Sequence, residues 1–251
     1  LQHQDGNSHA LAFTIPNLKA YDPAFAYEIA VIVKDGLKRM YEDNEPWIYY
    51  LTIMNEFYQQ PPMPKNAREG IIKGMYKYKA SERDDKKKKV HLFGSGAILN
   101  ESLKARELLE DKYKISTDVW SVTSYKELYR DATDVERWNM LHPDKKAKTP
   151  FIGKCLDKEE GVFIAASDYL KSIPASIGKW IPGPFTLLGT DGYGRSDDRP
   201  ELRSFFEVDH RYITLAALNN LYKEGKLKKD VLKKAFKDLK IDSEKPNPVL
   251  S

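Results

Sequence analysis

Five short runs rich in β-branched and aromatic residues, at 47–53, 90–93, 118–122, 161–166 and 185–189, punctuate this chain, and segments of helical spacing lie between most of them. Alternation of this kind predicts an α/β fold with a mostly parallel sheet covered on both faces, because parallel neighbours are joined by a crossover that packs a helix on the sheet. Asp22-Pro23 marks a helix start, the carboxylate capping free backbone N–H groups and the proline pre-set for the first turn. The helix is predicted over 24–41, with Phe25, Ile29, Ile32, Val33, Leu37 and Met40 as its buried face. A further helix is predicted at 101–112. Three prolines in the four positions 61–64 stiffen the path and predict a domain boundary there. The tail changes character, reading as three consecutive helices at 200–206, 209–223 and 228–239, with Asp209 an N-cap and Gly225 a stop.

Composition narrows the functional classes. The 251 residues are 41% hydrophobic and 12% aromatic, ample for one large or two modest cores. Forty-one basic against 37 acidic residues leave a net charge of +4, near balance and without a nucleic-acid signature. The Lys86–Lys89 run has no aromatic residues interleaved for base stacking and reads as a solvated loop. Lysines between 223 and 240 alternate with Leu227, Val231, Leu232, Ala235, Phe236 and Leu239, the pattern of an amphipathic surface helix. A single cysteine, Cys155, excludes an internal disulfide and fits a reducing cytoplasm. No apolar run approaches the roughly 18 residues of a membrane span, and the polar start is unlike a signal peptide.

Chemistry concentrates at the front, where His3, Asp5 and His9 surround an Asp5-Gly6 turn. A neutral imidazole both donates and accepts, and its pKa lies near the working pH, so two on one turn suit proton traffic at a substrate. Gly6 is predicted to take a positive φ that folds the flanking side chains to one side. On composition alone such a loop is more often solvated than catalytic. The chain lacks CxxC, HExxH, a nucleophile elbow and a Walker-type loop, which leaves no metal or phosphate motif. Gly94-Ser95-Gly96 is read as close helix–strand packing rather than an anion cradle. In 134–143, Trp138 is expected to anchor the core, Pro143 to end the helix, and His142 to bond locally, while Glu136 and Arg137 are not assumed paired.

The stretches LQHQDGNSH, IPNLKAYDPAFAYEIAV, GSGAIL, DVWSVTSYKEL, ERWNMLHP, LLGTDGYGRSD and KPNPVLS extend over nearly the whole chain. Together they resemble the thiamine-diphosphate enzymes of the transketolase superfamily, and most closely the homodimeric bacterial type of pyruvate dehydrogenase E1 component. The resemblance implies that 1–62 are the end of a pyrimidine-binding α/β domain and 63–251 a C-terminal three-layer α/β/α domain. It implies a cytoplasmic homodimer that decarboxylates pyruvate with thiamine diphosphate and Mg²⁺ and passes the acetyl group to the lipoyl group of an E2 acetyltransferase. His3 would bond the substrate or its adducts, and Asp5 and His9 would orient or assist it. Asn7 stands where relatives of that type often carry another histidine. Asp191 and Arg195, at the end of a sheet where ligands are usually placed, would make interdomain or dimer contacts. The Gly-Asp-Gly metal motif is absent, and the activating glutamate would precede Leu1, so this chain alone is expected to bind the coenzyme poorly and to be inactive. Two other readings stay open: the C-terminal region of another transketolase-type enzyme, and a non-catalytic dimerisation or assembly module.

Overall fold

Apolar residues on both faces of consecutive strands require cover on both sides, and the chain supplies it. The computed structural model describes residues 5–83 and 85–250. In chain order the elements are α1 (Ser8–Phe13), β1 (Leu18–Tyr21), α2 (Ala26–Leu37), β2 (Ile48–Leu51), α3 (Ala67–Lys73), β3 (Tyr76–Lys79), β4 (Lys89–Gly94), α4 (Ile98–Glu107), β5 (Ser116–Ser121) and α5 (Tyr125–Leu141). The short α6 (Phe151–Cys155), then β6 (Val162–Ala166), α7 (Ser172–Ala175), β7 (Phe185–Leu188), α8 (Arg199–Phe205), α9 (His210–Lys223) and α10 (Lys229–Asp238) complete the order.

The larger sheet runs β3-β5-β4-β6-β7, with β4, β5, β6 and β7 parallel and β3 antiparallel at the edge. Successive side chains leave a strand on opposite faces, and that period of two sorts the core. Val90, Leu92 and Ile164 pack with α4, α9 and α10, whereas Phe93, Trp120 and Phe163 pack with α5, α6 and α7. The result is the expected three-layer α/β/α arrangement. The antiparallel edge strand β3 was not expected, since Tyr76-Lys77-Tyr78-Lys79 is too short to declare itself without its partner β5.

A second, two-stranded sheet pairs β1 with β2 in parallel, Tyr21 opposite Leu51. It docks on the carboxyl ends of the larger sheet. Asp22 N–H donates to the Thr123 carbonyl at 2.8 Å, Gly96 N–H to the Asp22 carbonyl at 3.0 Å, and the Ser124 hydroxyl to the Ala20 carbonyl at 2.5 Å. The proline-rich segment lies between the two sheets without helix or strand.

Four local expectations are corrected. Asp22 does not cap α2; Glu28, fully buried, folds back and accepts from Ala24 N–H at 2.5 Å and Phe25 N–H at 3.1 Å. Its other oxygen accepts from the Tyr76 and Ser121 hydroxyls, so the buried carboxylate is fully bonded, the condition on which such burial is tolerated. Of the predicted face Phe25 and Ile32 are buried and Ile29 half-buried, with Glu28 and Gly36 completing the stripe and Gly36 under the Tyr49 ring, while Val33, Leu37 and, past the end of α2, Met40 are exposed. Trp138 is only half-buried, sandwiched between His142 and the Lys148 ammonium rather than set in the core. His142 bonds the Trp138 carbonyl at 2.8 Å, the expected local bond, and Glu136, not assumed paired with Arg137, pairs with Lys179. At the tail, the Asp209 carboxylate accepts from Arg211 and Tyr212 N–H groups and Gly225 takes φ +69°, the predicted cap and stop. The lysine run is a short turn whose last member, Lys89, opens β4 and reaches Asp118 at 2.5 Å, so it is not wholly solvated.

Candidate functional site

The carboxyl ends of the strands converge on the opening loop. Asp5 accepts from Asn7 N–H at 3.1 Å and Ser8 N–H at 2.8 Å, and also from the Ser8 hydroxyl, which closes the turn and supplies the first turn of α1 with an anion. The Gly6 carbonyl accepts from Leu170 N–H at 3.1 Å, pinning the turn just beyond β6. Gly6 does not take a positive φ. Its small size matters instead because a Cβ there would lie 3.3 Å from the Thr190 carbonyl oxygen.

The two described members of the predicted set diverge. Asp5 lines a cleft of about 380 Å³ whose wall also includes Asn7, Met54, Asp168, Thr190, Arg195 and Arg203. His9 turns inward, 5% exposed, with the edges of Tyr50 and Tyr169 around it. Burial lowers its pKa to about 4, opposed by the Asp5 charge, so the ring is neutral. His9 Nε2 lies 2.9 Å from Thr52 Oγ1, and the Thr52 hydroxyl reaches Asp22 Oδ1 at 2.9 Å. His3 lies outside the described residues.

Asp22, Thr52, Asp168 and Arg203 were not singled out for this site. Asp22 and Thr52 are the residues immediately after the paired ends of β1 and β2, and Asp168 follows β6 by two positions. That placement at parallel strand ends is the signal by which they are found once register is known. Burial pushes the Asp22 carboxyl up to about 7 and Asp168 up to about 6, the latter opposed by Arg203. Arg203 donates to Glu56 through both terminal guanidinium nitrogens, at 3.0 and 2.5 Å. Asp191 contacts its own chain, accepting from Lys171 N–H at 2.9 Å. Arg195 lies over the Phe205 ring.

Both glycines of Gly94-Ser95-Gly96 serve close packing. A Cβ on Gly94 would sit 2.6 Å from Leu99 Cα, and one on Gly96 would sit 2.6 Å from both Asp22 carboxylate oxygens. Gly96 also has φ +51°, a region costly for a side-chain-bearing residue. Gly96→Ala is expected to destabilise the protein by about 2–4 kcal/mol, combining left-handed strain with overpacking, measured as a lowered urea midpoint. An unchanged midpoint would show that Asp22 moves aside freely.

The chain matches two families: residues 1–61 match the pyruvate dehydrogenase E1 component middle domain, and residues 74–209 match the transketolase-like C-terminal domain. It is 49% identical over 253 residues to a Pseudomonas aeruginosa protein named pyruvate dehydrogenase E1 component, covering 99% of this chain and 28% of that one. The Escherichia coli K12 protein of the same name is 47% identical over 253 residues, covering 100% of this chain and 28% of that one. The chain thus spans about 28% of the length of these curated relatives. Among solved structures, a Pichia stipitis transketolase mutant superposes with a TM-score of 0.62 at 15% identity over 90% of this chain and 28% of its own. Transketolase from Leishmania mexicana gives 0.57 at 14% identity, over 88% of this chain and 28% of its own. Such distant identities carry the fold alone, whereas the family match spans more than half of the sequence. The chain belongs to the transketolase-like C-terminal domain family.

Proposed function

We propose that this chain is part of a pyruvate dehydrogenase E1 component, the enzyme that decarboxylates pyruvate oxidatively and transfers the acetyl group to the lipoyl group of an E2 acetyltransferase. The observation that carries the proposal is identity of 47–49% across 99–100% of the chain to proteins of that name. In this reading the enzyme is a cytoplasmic homodimer; among the described residues no helix is long and apolar enough to cross a membrane. His3, Asp5 and His9 are its contribution to the substrate pocket. Asp5 shapes the turn, His9 is a neutral anchored ring, and His3 handles the proton. The division at 62–63, with a pyrimidine-binding segment before it, belongs to the same proposal.

Thiamine diphosphate and Mg²⁺ supply the decarboxylation chemistry in this reading, and the one candidate cation cluster among the described residues does not fit the metal. Among the described residues, one group of three metal-capable side chains lies together: His91, Asp118 and Glu159. Lys77 bridges Asp118 and Glu159 at 2.9 and 2.5 Å, and Lys89 holds Asp118 at 2.5 Å. The imidazole is occupied too, Nδ1 accepting from the Trp120 indole at 3.4 Å and Nε2 donating to the Glu160 carbonyl at 3.2 Å. Ammonium groups already neutralise the carboxylates, so the cluster is a structural ion network.

Calorimetric titration of this chain alone with thiamine diphosphate and Mg²⁺ is expected to give no saturable heat. Tight, Mg²⁺-dependent binding would contradict that assignment. The function is tested on the complete enzyme with pyruvate, coenzyme and a lipoyl domain as acceptor. Reductive acetylation of the lipoyl group supports the proposal; transfer between sugar phosphates with no action on pyruvate would move the chain to another transketolase-type activity.

A further inference from the structure

Asp22, Thr52 and His9 come from three separate segments and form one continuous, half-buried chain of hydrogen bonds. Thr52 Oγ1 stands 2.9 Å from His9 Nε2, 2.9 Å from Asp22 Oδ1 and 3.3 Å from the Tyr21 carbonyl oxygen. A threonine hydroxyl has a single proton to donate. Asp22 Oδ1 and the Tyr21 carbonyl lie on the side that accepts it, so toward the imidazole the same oxygen is left with lone pairs only. The ring must then be the donor at Nε2, and its remaining lone pair is on Nδ1.

We propose that Thr52 and Asp22 are positioning residues that hold His9 as its Nε2–H tautomer and reserve Nδ1 as the ring's acceptor. The consequence for turnover rests on the reading of His9 as a pocket residue given above; the tautomer itself does not.

The surroundings of Asp22 reinforce this polarity. Its second oxygen, Oδ2, is buried without a hydrogen-bond partner among the described residues, and so is the Tyr125 hydroxyl. Asp22 and Tyr125 border one small cavity that His9, Ser95, Ser167 and Tyr169 also line. A proton taken up by the carboxyl goes to Oδ2, the oxygen that Thr52 does not engage, so Oδ1 stays an acceptor in both charge states. Burial, which raises the Asp22 pKa, brings that protonation into the working range without reversing the chain. Gly96 provides the space, since any side chain there would meet both carboxylate oxygens.

The test is long-range ¹H–¹⁵N correlation on the complete enzyme carrying ring-¹⁵N histidine, with the His9 signals assigned by their loss in His9→Gln. The expected spectrum has protonated Nε2 and unprotonated Nδ1. Thr52→Val, which keeps the shape and removes the hydroxyl, is expected to lower the Nε2–H to Nδ1–H ratio at least tenfold, and Thr52→Ser to restore it. If the valine variant does not fold, Thr52→Ala gives the same readout. A ring protonated at Nδ1 in the wild type, or an unchanged ratio without the hydroxyl, overturns the proposal. Turnover is expected to fall roughly tenfold in Thr52→Val, the scale of one lost hydrogen bond, and to recover in Thr52→Ser. Full turnover in His9→Ala would instead overturn the pocket reading of His9, and with it the functional half of the proposal, whichever tautomer is observed.

Discussion

Replacing His3 by alanine in the complete enzyme is expected to lower turnover roughly 10²- to 10⁴-fold, the range of a lost general acid or base. The loop carries two imidazoles, and the structure limits what one of them, His9, can do. His9 is 5% exposed, neutral through a pKa of about 4, and tied to Thr52, so it is poorly placed to exchange protons with a passing substrate. Proton handling on this loop then falls to His3, the ring two residues before the Asp5 turn. The measurement is steady-state turnover with pyruvate and a lipoyl acceptor, supported by an unchanged melting temperature. Wild-type turnover in the variant would remove His3 from the mechanism.

Phe163→Ala is expected to destabilise the fold by about 3–5 kcal/mol, the usual cost of emptying an aromatic site in a packed core. Phe163, the second residue of β6, is fully buried, stacked on His91 at 4.6 Å and edge-on to Phe93 at 5.8 Å. The cavity has little freedom to collapse, because its walls include two hydrogen-bonded strands and the Gly183 backbone, where a Cβ would come within 3.1 Å of the ring. Phe57, fully exposed, is the matched control, and its alanine variant is expected to shift stability by no more than about 0.5 kcal/mol. Urea unfolding followed by near-ultraviolet circular dichroism reads both. A loss under about 1 kcal/mol for Phe163→Ala would mean that the core repacks around the deletion.

Element type was most legible where composition and period agreed. Buried parallel strands such as 162–166 are continuous apolar runs, and α9 is bracketed by its own Asp209 cap and Gly225 stop. Faces were less legible. On α2 the apolar residues Val33 and Leu37 matched helical spacing, yet the interior took Glu28 because four donors were waiting for its carboxylate. Spacing reports hydrophobicity, whereas burial of a charge depends on partners from other segments. The short strand β3 escaped for the same reason, since its identity comes from pairing with β5 across more than thirty residues.

By itself the sequence determined the alternating strand–helix order, the two-faced core, the packing role of Gly94-Ser95-Gly96 and the family to which these stretches belong. Those properties are local or are carried by motifs, so they survive reading in one dimension. Tertiary structure alone decided that Asp5 faces a cleft while His9 turns inward, and that Asp22 meets Thr52 rather than capping a helix. The physical reason is that parallel pairing brings the carboxyl ends of β1 and β2 together, and hydrogen bonds between residues 30 or more positions apart exist only after that pairing has formed.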